Sequence, residues 1–194
     1  QEALLAIENA IKLQPDFSDA YFNQGNLLQD QGNFDAAIYS YKHALRLKPI
    51  YPEACSNLSM AELMTGDYKN GWKGYEYRLE CENEKSLLSA VPSSKKWNGE
   101  RLKQQEQLIL ISEQGLGDTL QFMRYAIVLR QQGISVSLCA PTKLHRLIQT
   151  SGIDFAQFTP EQANRISQGR WLPLLSAPLH LNVSPDNPII TAPY

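Results

Sequence analysis

An excess of charge of one sign is the first thing missing from this sequence. Its 194 residues carry 18 Lys and Arg against 20 Asp and Glu, a formal net charge of −2, with a pI near 5.9. Such a balance leaves no electrostatic footprint for nucleic acid or an anionic membrane, so neither is expected as a partner. Long apolar runs are missing too. None approaches the roughly 20 residues a membrane-spanning helix needs, so no span is expected. Cysteine is scarce: Cys55, Cys81 and Cys139 stand far apart, and no C-x-x-C pair occurs. That excludes a zinc-ligand spacing and a disulfide framework, and free thiols suit a reducing cytoplasm. His43, His145 and His180 show no ligand spacing and are expected at the surface. No metal and no cofactor is expected.

What is present is an ordinary globular balance, 43% hydrophobic and 20% charged. The length suits one large domain or two small ones. The chain opens at Gln1 inside a helical pattern and stops at Ala192-Pro193-Tyr194 with no cap, so it is expected to be a fragment of something longer.

The first half repeats. Pro15 and Pro49 are 34 residues apart, as are Gly32 and Gly66, Phe34 and Tyr68, Ala10 and Ala44, and Asn23 and Asn57. Ala3 and Ala37 share another column, which Gly71 continues. Each column has a physical task. Ala37, Ala44 and Gly25 are small where two helices must cross closely. Gly32 and Gly66 fall at turns where positive φ is needed. Phe34, Tyr41, Tyr68 and Tyr75 are wedges between neighbouring helices. Pro15 and Pro49 end one hairpin and begin the next.

The pattern Y-x-x-x-G…G-x-F-x-x-A…Y-x-x-A…P resembles the tetratricopeptide repeat, a helical hairpin of about 34 residues. It covers a second helix (1–15), a full repeat (about 18–51) and a degenerate one (about 52–81). In the last, Gly71 replaces an alanine and Arg78 stands in the column of Ala10 and Ala44, where an arginine is expected not to pack tightly. The segment 71–78, with Trp72, Tyr75 and Tyr77, reads as an adaptor to a following domain rather than a bare polar cap. The resemblance implies a concave face built from the first helix of each hairpin, with Asn23, Asn26, Gln29 and Asp30, then Asn57, Met60 and Met64. Asn23 and Asn57, in equivalent positions, resemble the asparagine ladder of O-linked N-acetylglucosamine transferases. A carboxamide can donate to and accept from a peptide at once. Solvated asparagines on a helix face are the alternative. A peptide or protein is the expected partner of this face.

Composition changes after Glu84. Residues 1–84 are read as repeats, 85–106 as a polar linker and 107–194 as an α/β half-domain. Gln107–Ser112 is an unbroken apolar run, expected as a strand covered on both faces. A helix is expected over 119–132, ended by Gly133. A strand follows at 134–140, alternating Ile134, Val136 and Leu138 with Ser135, Ser137 and Cys139. Then come a helix over 142–151, a short strand at 155–158, a short polar helix, and a strand at 171–176. This β-α-β-α-β order predicts right-handed crossovers and a parallel, Rossmann-like sheet. The fold class is therefore α followed by α/β.

The turn Glu113-Gln114-Gly115-Leu116-Gly117-Asp118 sits at the carboxyl end of the first long strand, where open α/β sheets bind ligands. A phosphate loop would need a lysine, and Gly117-Asp118-Thr119 has none. A dinucleotide fingerprint would need glycine at 120, which is Leu120. An aspartate would also repel a phosphate.

The run E-Q-G-L-G-D-T-L-Q-F-M-R-Y, with W-N-G before it and L-P-L-L-S-A-P-L after it, resembles the region that follows tetratricopeptide repeats in many bacterial glycosyltransferase-like proteins. It is similar to the N-terminal half of heptosyltransferase-type enzymes of GT-B fold. The resemblance implies glycosyl transfer in a full-length protein, with Asp118 as the acceptor-side general base. Glu113, Gln114, Gly115, Gly117, Thr119 and Arg124 would form the acceptor loop. It also implies that a nucleotide-sugar is held by a C-terminal half beyond Tyr194, so this chain alone is expected to be inactive. Two alternatives stay open. Asp118 can simply cap the helix expected to begin at Thr119, and the whole chain can be a non-enzymatic interaction module.

Overall fold

The computed structural model describes residues 2–81, 87–113, 115–151 and 156–190. The chain forms two compact units, Gln1–Lys85 and Ser86–Tyr194.

The first unit is a run of antiparallel helices: α1 (Glu2–Leu13), α2 (Ser18–Asp30), α3 (Phe34–Leu47), α4 (Pro52–Met64) and α5 (Tyr68–Tyr75). Their ends follow local chemistry. Gly32 and Gly66 take φ of +76° and +92°, so the chain leaves α2 and α4 through a conformation that glycine adopts without strain. Asn33 and Asp67 then cap α3 and α5 by accepting from the backbone N–H groups of Ala36 and Asn70. Pro52 starts α4, where its missing N–H is no loss.

The predicted columns are the packing contacts. Ala37, Tyr41, Ala44 and Ala61 are fully buried, and Phe22, Leu28, Phe34, Ile38 and Leu58 pack around Ala37, Tyr41 and Ala61. In the degenerate repeat, Gly71 and Gly74 serve the same close approach. A Cβ at Gly71 would stand 2.7 Å from Leu63, and one at Gly74 would stand 2.9 Å from Ser59.

Arg78 corrects an expectation. Read as a residue that could not pack tightly, it is 1% exposed. Helix α5 stops at Tyr75 and tightens into a 3-10 turn over Glu76–Leu79 that packs against α4. Its Nη1 donates to the Tyr75 carbonyl and to Glu76 Oε1, and the guanidinium lies 4.4 Å from the centre of the Tyr75 ring. Paired and hydrogen-bonded in this way, a buried cation is tolerated.

The second unit holds a five-stranded, all-parallel sheet. Its strands are β1 (Lys95–Lys96), β2 (Gln107–Ile111), β3 (Ser135–Cys139), β4 (Ala156–Phe158) and β5 (Arg170–Pro173), in spatial order β1-β5-β2-β3-β4. Residues 87–106, read as a linker, are built into this unit. They supply β1, the buried Ala90 and Trp97, and an antiparallel bridge from Leu88 to Glu113. Trp171 Nε1 donates to the Ser94 carbonyl and fastens this segment to β5.

Two of the three residues on the expected polar face of β3 are also buried: Ser137 and Cys139 are 0% exposed, while Ser135 is exposed. Gln107 Nε2 donates to Ser137 Oγ, satisfying the hydroxyl inside the sheet. Ile109, Ile111, Cys139 and Trp171 form the core of one sheet face with Ala90 and Ala163.

The helix expected over 119–132 is two helices, α6 (Leu116–Phe122) and α7 (Arg124–Gln131), broken at the buried Met123. The break is a local tightening, with Ala126 N–H bonding to the Met123 carbonyl, while the Arg124 side chain takes the Gln121 carbonyl. Helices α8 (Thr142–Thr150) and α9 (Pro160–Asn164) connect the later strands. The last strand is shorter than the expected 171–176. Pro173 has no N–H to extend the ladder, and Leu174–Ser176 turn as a 3-10 helix into α10 (Ala177–His180).

Candidate functional site

In the sheet unit the strand order reverses at β2. The chain steps outward from β2 to β3 to β4, then returns through α9 to place β5 on the other side of β2. Loops leaving β2 and β5 therefore lie side by side at the carboxyl ends of the strands, the position where open α/β sheets take ligands. Glu113 joins them: its Oε1 accepts from the backbone N–H of Leu175 at 2.8 Å, and the residue is 1% exposed. Under the same loop, Ser89 N–H donates to the Ser112 carbonyl, the two hydroxyls lie 2.9 Å apart, and Ser112 N–H donates to Cys139 O. Burial pushes the Cys139 thiol above its ordinary pKa, with the nearby Ser89 hydroxyl acting the other way. Glu113 is thus a brace beneath the loop.

Asp118 is half-buried in the first turn of α6, which begins three residues earlier than expected. Its Oδ2 accepts from Gly115 N–H at 3.1 Å, so the carboxylate reaches back over the start of its own helix. Gly115 has a physical reason to be small, since a Cβ there would stand 3.2 Å from that same oxygen. Gly117 has no such reason. It is exposed, and a Cβ there would meet no atom within 4 Å. Thr119 is buried, and its hydroxyl donates to the Gly115 carbonyl. Gln114 lies outside the described residues.

Arg124 does not join this group. It sits eight residues beyond the start of α6 (Leu116), about 12 Å along the helical path at 1.5 Å per residue. There it lines a separate hollow of about 580 Å³ with Leu120, Met123, Leu147 and Thr150. Proximity in sequence suggested a shared loop; the helical rise carries the arginine away.

On the repeats, the three asparagines fall in unequal settings. Asn23, on α2, is exposed and has no hydrogen-bond partner among the described residues. Asn26, one turn on, and Asn57, on α4, are joined: Asn57 Nδ2 donates to Asn26 Oδ1 at 2.8 Å, and the Tyr41 hydroxyl donates to the same oxygen at 2.9 Å. Gln29 Oε1 lies 3.2 Å from that hydroxyl. The two rungs that the 34-residue period makes equivalent are therefore not equivalent in hydrogen bonding. The part of Tyr41 in this arrangement was hidden, because the sequence marks an aromatic wedge but not where its hydroxyl points. Met60 and Met64 on α4 are 43% and 66% exposed.

The histidines are not simply superficial. His43 stacks on Tyr21 at 3.9 Å between centroids, His145 Nε2 lies 2.9 Å from the Ala140 carbonyl, and His180 packs on Trp97. No helix among the described residues is long and apolar enough to cross a membrane.

Comparison with known proteins places part of the chain. Protein FlbA of Caulobacter vibrioides is 30% identical over 124 residues, 62% of this chain and 20% of that protein. Protein O-mannosyl-transferase TMTC1 of Homo sapiens is 32% identical over 91 residues, 45% of this chain and 10% of that protein. This chain thus spans about a fifth and about a tenth of the lengths of these relatives. Among solved structures, a crystal structure of MamA is 28% identical, covering 43% of this chain and 48% of that one with a TM-score of 0.38. An O-GlcNAc transferase variant of Thermobaculum terrenum is 17% identical, covering 80% of this chain and 30% of that one with a TM-score of 0.36. The tetratricopeptide repeat family model matches residues 18–51, the full repeat whose columns were counted above. The helical unit of this chain is therefore an array of tetratricopeptide protein-interaction repeats, followed by a parallel-stranded sheet unit.

Proposed function

We infer that this chain is the protein-binding arm and acceptor-side half of a cytoplasmic glycosyltransferase, its sheet unit being the N-terminal, Rossmann-like half of a GT-B fold. The repeats would hold a protein or peptide on the α2 and α4 face through Asn23, Asn26 and Asn57. The nucleotide-sugar would be bound by a second half outside this chain. The observation that carries the reading is the loop at the strand-order reversal, where Asp118 stands over the start of α6 beside the unfilled space at Gly117. The relatives named O-mannosyl-transferase point the same way.

Asp118 supplies the chemistry such a half would need. One carboxylate oxygen is held by Gly115 N–H, which fixes the group's direction. The other would take the proton of an acceptor hydroxyl as its oxygen bonds to the anomeric carbon, while the nucleoside diphosphate leaves with the electron pair of the broken bond. Glu113 would act only as the brace that holds the loop, with Gly115 and Thr119 shaping its turn.

A second reading has its own observation. The same Asp118–Gly115 contact is a complete structural role, which fits a binding module with no chemistry. Asp118→Asn separates the two, because its carboxamide oxygen can still accept from Gly115 N–H but cannot act as a base. In the full-length protein, the transferase reading expects folding to be retained and sugar transfer to fall by about 10²–10⁴-fold. Unchanged transfer would remove Asp118 from the chemistry. Absence of nucleotide-sugar binding by the full-length protein in calorimetry would favour the scaffold.

A further inference from the structure

The hollow of about 580 Å³ beside Arg124 lies on a face of the sheet, apart from the loop that carries Asp118. The crossovers from β2 to β3 and from β3 to β4 step the same way, so α6, α7 and α8 cover one face. Leu120 and the fully buried Met123 line the hollow from the α6–α7 break, and Leu147, 49% exposed, lines it from α8. Its charge comes from Arg124, the one ionisable group among the described lining residues. The Arg124 Nε–H is spent on the Gln121 carbonyl at 2.8 Å, which pins the guanidinium to its own helix. Both Nη groups are left without a partner among the described residues. The α8 hydroxyls are already committed as donors, Thr150 to the Arg146 and Leu147 carbonyls and Ser151 to the Ile148 carbonyl. The surroundings add to the positive field. Residues 119–153 contain Arg124, Arg130, Lys143 and Arg146 but no Asp or Glu, in a chain whose net charge is −2.

We propose that this hollow binds a small apolar carboxylate, a monoanion with an alkyl or aryl body, whose carboxylate takes the two Nη groups of Arg124 while its body covers Leu120, Met123 and Leu147. The proposal is independent of the transferase reading, which rests on Asp118. With Nε occupied, the end-on pair of Nη groups is the fork that remains, and a carboxylate fits such a fork with two parallel hydrogen bonds. The fork is held before ligand arrives, so less freedom is lost on binding. One cation in an apolar lining suits one negative charge. A phosphate monoester brings more charge and three acceptor oxygens, and the lining offers no second cation for them. The size also points to a small molecule: about 580 Å³ falls within the range of such sites. A stable protein interface buries roughly 800 Å² per partner. Over α6–α8 only Leu116 and Leu147 are exposed large hydrophobics among the described residues, too few for that area.

NMR titration of the full chain tests this, with sodium decanoate as probe, kept below its self-association, and decan-1-ol, decyltrimethylammonium and inorganic phosphate as controls. Decanoate should give saturable shifts confined to the amides of 120–124 and 147–151 and to the Arg124 Nε–H signal. Decanol and phosphate should each bind at least about tenfold more weakly, the scale of a charge-assisted hydrogen bond, and the decyl cation should not bind. Shortening decanoate to octanoate should weaken binding by up to about fourfold per methylene removed. Arg124→Gln should bring decanoate down to the affinity of decanol. Arg124→Lys keeps the charge without the fork and should fall between. Leu147→Asn, at a half-exposed position, should weaken decanoate and decanol alike. If Arg124→Gln does not fold, as judged from the amide spectrum, the decanoate–decanol comparison on the wild type and Leu147→Asn decide. Equal affinity for decanoate and decanol, shifts spread over both units, no saturation, or unchanged affinity in a folded Arg124→Gln overturns the proposal. So does tighter binding at the same amides by a short acetylated peptide alternating leucine and glutamate, which would make the hollow a protein-docking site. None of these outcomes bears on transfer by Asp118.

Discussion

The ring of Tyr41 lies so close over Gly25 that a Cβ at residue 25 would stand 2.5 Å from Cε1 and 2.6 Å from Cδ1. This contact is where α2 and α3 meet, and it explains glycine in a helix interior that would otherwise favour alanine. Gly25→Ala should destabilise the chain. Forced overpacking costs about 1–3 kcal/mol, offset by up to about 1 kcal/mol of helix propensity. Urea denaturation followed by circular dichroism measures the balance, and a neutral result would mean that the helices separate freely.

The same Tyr41 ties stability to alkaline pH. Burial pushes its phenol up from 10.0 to about 12, with hydrogen bonding to Asn57 acting the other way and the Asp30 charge adding to the rise. The folded state therefore holds a proton that the unfolded chain gives up first. Stability from this group is complete below pH 10 and is lost as pH rises from about 10 towards 12. Tyr51 shifts in the same direction, with burial again the first cause. Tyr41→Phe should flatten, not abolish, the alkaline loss, read as urea midpoints between pH 9 and 12.

Glu113 is the brace of the β2 loop, and its removal should be felt at β5. Glu113→Ala leaves the Leu175 N–H without its acceptor, a loss of about 1–3 kcal/mol for a buried donor. Glu113→Gln keeps an accepting oxygen and should be milder. Hydrogen exchange at the Leu175 amide reports the contact directly: it should speed up in the alanine variant and change little in the glutamine one.

Gly117 separates fold from function. No atom fills the space beside it, so Gly117→Ala should leave stability unchanged or raise it by up to about 1 kcal/mol. If the loop receives an acceptor, the same methyl should reduce transfer in the full-length protein, read as a rise in KM for acceptor. Unchanged kinetics would place the acceptor elsewhere.

The repeat was legible because it is a periodic demand. Ala37, Ala44, Gly32 and Gly66 answer to helix crossings and turns that recur every 34 residues, so each column carries its own reason. The parallel strands β2 and β3 were legible as apolar runs. Residues 87–106 were not: Trp97 and Ala90 are buried by partners far along the chain, and no local pattern marks a two-residue strand. Arg78 was misread for a related reason, since its column assumed that α5 continues past Tyr75. Of the candidate site, the turn at 113–119 was visible as a glycine-rich break after a strand, but the departure of Arg124 from it follows from where α6 begins.

By itself, then, the sequence determined the elements whose causes are local or periodic: the hairpins, their glycine turns, and the run of strands and helices after Gln107. Tertiary structure alone decided that β5 inserts beside β2, that Glu113 is buried with its carboxylate on the Leu175 amide, and that Asn57 is tied to Asn26 while the Asn23 side chain has no hydrogen-bond partner among the described residues. Those outcomes depend on pairings between residues 31 to 62 positions apart, set by which faces the folded chain brings together, and a one-dimensional pattern does not carry that information.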